Sequence, residues 1–242
     1  MQDASATGTQ PKPGIAPWWH TALLIAPILG FSLLGSLRPA HHAFSHHHVL
    51  QYFITLVWEW ILAAFVIWGI HMRRIPLRQL LGERRPSWRD WRDDFLIAAA
   101  FWIAASIVLA VIGTALKLAH FSMPQKTLTQ LAPQNALEFT LWILLSISAG
   151  FCEELTFRGY LLQQFTSIGN KLWLGVFASS LLFGLAHGYE GASGIIAITA
   201  YGAMFCLLAI YRRSLRAGMI AHAWHDIFSG AALMLLRHAH LF

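Results

Sequence analysis

Apolar stretches close to twenty residues long recur throughout this 242-residue chain, separated by short polar turns. A helix of about 20 apolar residues crosses the hydrocarbon core of a bilayer, and lipid offers the backbone no water to bond. A chain with this pattern therefore folds as packed transmembrane helices. Composition agrees: 12% of the residues are charged, and 57% are hydrophobic, where a soluble domain carries about 25% charged residues. The pattern predicts an all-α polytopic bundle of about seven transmembrane helices, near 18–37, 49–70, 95–118, 135–165, 172–187, 195–211 and 217–236. An eighth is added if residues 71–94 form a helix along the interface. With no linker and no internal repeat, the chain reads as one integral domain: a disordered tail 1–17, amino-terminal helices 18–134, and a carboxyl-terminal core 135–242. The tail lacks the basic start of a signal peptide, so it is expected to stay uncleaved.

Charge orients the bundle. A net charge of +6 could point to nucleic acid, but the arginines concentrate in loops. Arg73, Arg74, Arg78, Arg84, Arg85, Arg89 and Arg92 crowd one segment. Glu83, Asp90, Asp93 and Asp94 dilute its field, while Trp88 and Trp91 suit a helix at headgroup level. The partner expected is the bilayer, with no nucleic acid. Placing this segment inside puts the amino terminus in the cytoplasm and the basic turn Arg212–Arg216 inside as well, as the positive-inside rule requires. Two cysteines, Cys152 and Cys206, both in apolar stretches, make no disulfide framework.

Within the fourth apolar stretch stands Glu153-Glu154-Leu155-Thr156-Phe157-Arg158. Carboxylates in hydrocarbon cost at least about 2.5–3.5 kcal/mol each, so an intramembrane pair marks a functional site by default. Glu154 and Arg158 lie at i and i+4, the orientation of a helical ion pair. A structural salt bridge would need one glutamate; Glu153, turned about 100° away on a regular helix, needs partners from other helices. Those partners exist. Around a turn near Gly169, Glu153 and His187 lie 16 and 18 residues away and so reach similar depth. Phe183 shares the His187 face and could wall a pocket. His222 and Asp226, again i and i+4, lie nearer the cytoplasmic turn, with a looser depth match. Such a set could activate water for hydrolysis, with a glutamate as general base and a histidine donating to an oxyanion. Equally, Glu153, His187 and His222 could hold Zn²⁺ with one open position. Spacing favours water activation and leaves metal or no metal open.

EELTFRG (Glu153–Gly159), FGLAH (Phe183–His187) and HAWHD (His222–Asp226) resemble the three ordered motifs of the CPBP family. These are the intramembrane proteases related to the type II CAAX prenyl endopeptidase and to bacteriocin-processing and immunity proteins. The resemblance covers about residues 135–236 and implies an intramembrane endopeptidase acting on a peptide or membrane-protein substrate. It implies Glu153 as the base, His187 as a holder of the water, Glu154 and Arg158 as an orienting pair, and His222 and Asp226 at the oxyanion and substrate carbonyl. CAAX-processing members carry Asn where this chain has Asp226. An ionised Asp accepts and does not donate, which turns that position toward an ion pair or a metal.

Other features have simpler readings. Cys152 fits a small buried apolar residue better than a nucleophile, and His225 fits packing. Gly191-Ala192-Ser193-Gly194 matches the GxSG of rhomboid serine proteases, but it leaves the glutamates and Arg158 unused. No HExxH occurs, which removes a zincin. Glu59 is a further intramembrane acid of open role. The HHAFSHHH run from His41 to His48 reads as a solvated loop, and Gly184 with Gly188 as a close-packing GxxxG. A scaffold or immunity protein of the same fold is the alternative to an enzyme; the intact Glu153, His187 and His222 argue against it, since a scaffold would need none of them. A transporter lacks support from any inverted repeat.

Overall fold

The computed structural model describes residues 14–37, 48–82, 86–122 and 130–238. The histidines from His41 to His47, Arg84, Arg85, Lys126 and His240 lie outside them. Among the described residues every regular element is helical. In order these are α1 (Trp18–Leu37), α2 (His48–Met72), α3 (Leu77–Leu81), α4 (Trp88–Leu118), α5 (Ala136–Glu153), a π-helical segment (Glu154–Leu161), α6 (Leu162–Gly169), α7 (Leu172–Ala186), a 3₁₀ turn (Gly188–Glu190), α8 (Gly191–Arg212) and α9 (Arg216–His238).

Six of these helical runs are long and apolar enough to cross a membrane, counting α5, the π segment and α6 as one run of 34 residues. The chain is a multi-pass membrane protein. The seventh expected span, α7, has 15 residues and rises only about 22 Å, short of the roughly 30 Å hydrocarbon core. It still runs from end to end of the bundle. Ile15, Leu80, Asn170, Leu172 and Arg213 share a cavity of about 950 Å³ at one end. At the other, Ser32 Oγ donates to Leu185 O at 2.5 Å and accepts from Gly188 N at 2.9 Å, His48 meets Glu138 at 2.9 Å, and Ser193 donates to Ser122 O at 2.6 Å. Successive long helices therefore alternate in direction, α7 included, and the basic segments collect at one end.

Local chemistry sets the helix ends. Ser87 and Asp90 form a reciprocal capping box, so α4 begins at Trp88 and not near residue 95. Among the described residues, the segment 71–94 holds the end of α2, the five-residue α3 and the start of α4. Asn170 (φ 49°) and Arg213 (φ 50°) close α6 and α8 in the left-handed region, where Asn is favoured among non-glycines. The chain just before α1 is held in place. Ala16 is buried, and its N–H and carbonyl both pair with the Gln164 side chain, at 3.2 and 3.0 Å.

Close backbone approach brings the helices of the carboxyl-terminal half together. A methyl on Gly150 of α5 would stand 2.7 Å from Met219 O of α9. Gly184 lies against α8 at Ile195, whereas Gly188, past the end of α7, meets Ser32 of α1. The two glycines thus serve different neighbours rather than one GxxxG face. At the basic end, fully buried Asp94 of α4 receives Arg212 Nη2 and Arg216 Nε, each at 2.6 Å. This three-residue cluster ties α4 to both sides of the α8–α9 turn. Replacing Asp94 by Ala strands two cations at a half-buried site. Thermal unfolding of the protein in detergent is expected to show a loss of about 3–5 kcal/mol. Arg92→Ala, which removes the exposed Arg92–Asp93 pair, is expected to cost no more than about 1 kcal/mol.

Candidate active site

The two glutamates straddle a change of helix type. Glu153 is the last residue of α5, and Glu154 the first of the π segment. A π turn bonds i to i+5 and inserts extra chain into the helix, which shifts the side chains that follow. All eight residues from Glu154 to Leu161 are buried as a result, although a regular helix in this position would turn one face to lipid. Neighbouring helices hold the widened turn. Ser179 Oγ of α7 donates to Phe157 O at 2.6 Å, and Tyr160 OH meets Thr21 Oγ1 at 2.9 Å and His20 Nδ1 at 2.8 Å. His20 Nε2 faces Phe65 O at 2.9 Å. A carbonyl can only accept, so Nε2 carries the proton and Nδ1 accepts from Tyr160.

Arg158 Nη1 lies 3.0 Å from Glu154 Oε1, with neither side chain exposed. The guanidinium sits 4.1 Å from the Phe183 ring centroid, 4.9 Å from Phe205 and 5.9 Å from Phe157. All three fall within the roughly 6 Å range of cation–π attraction. Its Nη2 reaches Gly202 O of α8 at 3.4 Å. One charge therefore draws in the π segment, α7 and α8.

His222 of α9 completes the set. Its Nδ1 donates to Glu154 Oε1 at 3.1 Å. Its Nε2 faces Glu153 Oε2 at 3.6 Å and Asp226 Oδ2 at 3.8 Å. The ring stacks on Phe205 at 5.2 Å and stands edge-on to Phe183 at 6.0 Å. Three carboxylates thus surround one imidazole. The depth match that looked loose on spacing alone closes because α5 and α9 approach at Gly150.

His187 is placed differently. It caps α7, and its Nδ1 donates to Phe183 O at 2.9 Å, which leaves Nε2 as the acceptor nitrogen. His187 and Glu153 line one cavity of about 220 Å³, walled by Phe31, Trp58 and Phe157. Among the described residues no three His, Cys, Asp or Glu side chains converge as a metal-holding group, so Glu153, His187 and His222 do not present a common ligand set in this arrangement.

The remaining candidates fall outside the cluster. His225 packs against Tyr201, with ring centroids 4.8 Å apart. Cys152 is buried, with Ser148 Oγ 3.9 Å from its sulfur. Ser193 is engaged by Ser122 O at the end of the bundle away from the basic turn, while His222 faces the carboxylates. The residues that sequence reasoning missed are those supplying surroundings: Phe205, Gly202, Tyr189, and Trp142, whose Nε1 donates to Asp226 O at 2.8 Å. No pattern in the chain marks them.

Residues 134–228 match the family model for the type II CAAX prenyl endopeptidase, Rce1-like. That span contains every residue of the cluster. No curated protein and no solved structure matches the chain. The sealed pair gives a direct expectation. Arg158→Leu leaves Glu154 buried without its cation and is expected to lower stability in detergent by about 3–5 kcal/mol. Adding Glu154→Gln to it removes the unpaired charge, and thermal unfolding should show part of that loss restored.

Proposed function

We propose that this chain, whose residues 134–228 form an Rce1-like type II CAAX prenyl endopeptidase family domain, is an intramembrane endopeptidase that hydrolyses a peptide bond with water activated by Glu153. The family implies a protease and hence a peptide substrate. The observation that carries the finer mechanism is the placement of His222 between Glu154 at 3.1 Å and Glu153 at 3.6 Å, beside a cavity that Glu153 shares with His187.

In this mechanism water lies in the cavity that Glu153 and His187 line, with one of its hydrogens directed at Glu153. Glu153 takes a proton as the water oxygen attacks the peptide carbonyl carbon. His222, kept in place by Glu154 and turned by its Nδ1 bond, donates from Nε2 to the developing oxyanion. Collapse of the tetrahedral intermediate breaks the C–N bond, and the proton on Glu153 passes to the leaving amine. Asp226 faces the same His222 nitrogen and supports its positive form. Arg158 holds Glu154 in place. The steps balance without a metal, since Glu153 supplies the base and His222 the oxyanion donor. The basic end of the bundle is assigned to the cytoplasm on the positive-inside rule, which places the amino terminus there.

A quenched-fluorescence peptide library, with protein in detergent, tests this. Glu153→Ala is expected to lower cleavage by about 10²–10⁴-fold, the usual contribution of a positioned base, and activity is expected to survive a chelator. Loss on chelation with recovery on adding Zn²⁺ would instead assign Glu153, His187 and His222 to a metal. Absence of cleavage by the wild type would favour a scaffold that keeps the fold without the reaction.

A further inference from the structure

The three motifs leave one acid of the site unused. Glu59 lies on α2, outside the family match, with 6% of its surface exposed. It lines the same cavity as Glu153 and His187, flanked by Thr55, Trp58 and Leu62 of its own helix. The hydroxyl of Ser148 on α5 stands beside its carboxyl, and its charged neighbours are Glu153, Asp226 and His222. Its Oε2 is buried without a hydrogen-bond partner. Among the described residues the lining of this cavity holds no arginine or lysine, so no guanidinium or ammonium there takes up the free oxygen. A buried acid with a free acceptor oxygen, lining a largely apolar-walled cavity, is suited to holding something that donates.

We propose that Glu59 is a positioning residue for the attacking water, accepting its second O–H through Oε2. This rests on the endopeptidase reading above. Water offers two hydrogens. A nucleophile whose single proton goes to Glu153 remains free to swing about that bond; anchoring the other hydrogen on α2 directs an oxygen lone pair at the carbonyl carbon. The proton balance is unchanged: Glu153 still takes the proton that leaves, and the hydrogen held by Glu59 stays on the oxygen that becomes part of the new carboxyl group. A role of this kind lowers turnover when lost, with little effect on substrate binding, since misplacing a reacting atom by about 1 Å can cost on the order of 10²-fold in rate.

Steady-state kinetics and thermal unfolding of Glu59→Met, Glu59→Gln and Glu59→Asp, run beside the wild type and Glu153→Ala, decide it. Glu59→Met, which has no acceptor oxygen, is expected to lose about 10- to 100-fold in kcat, with KM and the unfolding midpoint held. Glu59→Gln keeps a carbonyl oxygen at the same reach and is expected to retain most of the turnover. Glu59→Asp keeps the acid but draws the oxygen back by one methylene, and is expected to lose kcat at unchanged KM. It decides the matter if the Met variant does not fold. Wild-type kcat in the Met variant, or in the Asp variant where that one decides, would overturn the proposal while leaving the endopeptidase reading intact. A Gln variant as slow as the Met variant would also overturn it, because an acceptor oxygen would then not suffice. A wild type that cleaves nothing would overturn both.

Discussion

An arginine and a glutamate sealed together inside hydrocarbon cannot be stable on one helix alone. Desolvating both charges costs several kcal/mol each, and their attraction offsets that only with good geometry and further partners. Here the partners are spread over the bundle. Phe183 of α7 and Phe205 of α8 cover the guanidinium, Gly202 of α8 accepts from it, and His222 of α9 donates to the glutamate. The Glu154–Arg158 pair exists only when these helices have already converged. It therefore couples the assembly of the carboxyl-terminal core to the orientation of His222, the side chain that also faces Glu153 and Asp226.

The π segment makes that convergence possible. Widening one turn between Glu154 and Leu161 moves every side chain of the segment inward, and it displaces backbone carbonyls from the regular ladder. Ser179 bonds one of them, at Phe157. Tyr160 then fastens the segment to α1 through Thr21 and His20, while Gln164, on α6, fastens the entry of α1 at Ala16. The amino-terminal helices are thus bound to the site by buried hydrogen bonds, which lipid cannot compete for. Through Glu59 on α2, they also contribute to the wall of the cavity that Glu153 faces.

Much of this architecture could be seen in the chain itself. Apolar run lengths mark the spans, with α7 the exception in length. The arginines of the 71–94 segment and the 212–216 turn assign two loops to one end, and they meet there through Asp94. Charge and histidine in otherwise apolar stretches single out Glu153, Glu154, Arg158, His187, His222 and Asp226, all of which lie in or beside one cluster. What escaped notice was the environment. The cage of Phe157, Phe183 and Phe205 is drawn from three segments, and each ring alone looks like any buried aromatic. Likewise, the capping box at Ser87–Asp90 moved the start of α4 into a stretch whose charge suggested an interfacial helix.

The sequence by itself determined that this chain is a helical membrane protein with an acid–histidine set at depth. Hydrocarbon admits only helices or closed barrels, and it penalises every charge placed in it. Which nitrogen meets which carboxylate was decided by tertiary structure. His222 reaches both glutamates because Gly150 lets α5 and α9 approach closely, and because a π turn rotates Glu154 away from lipid. Neither distance is encoded locally. A π turn and a close helix crossing are stable only through the packing of distant segments, so their consequences for the site appear only when those segments are in place.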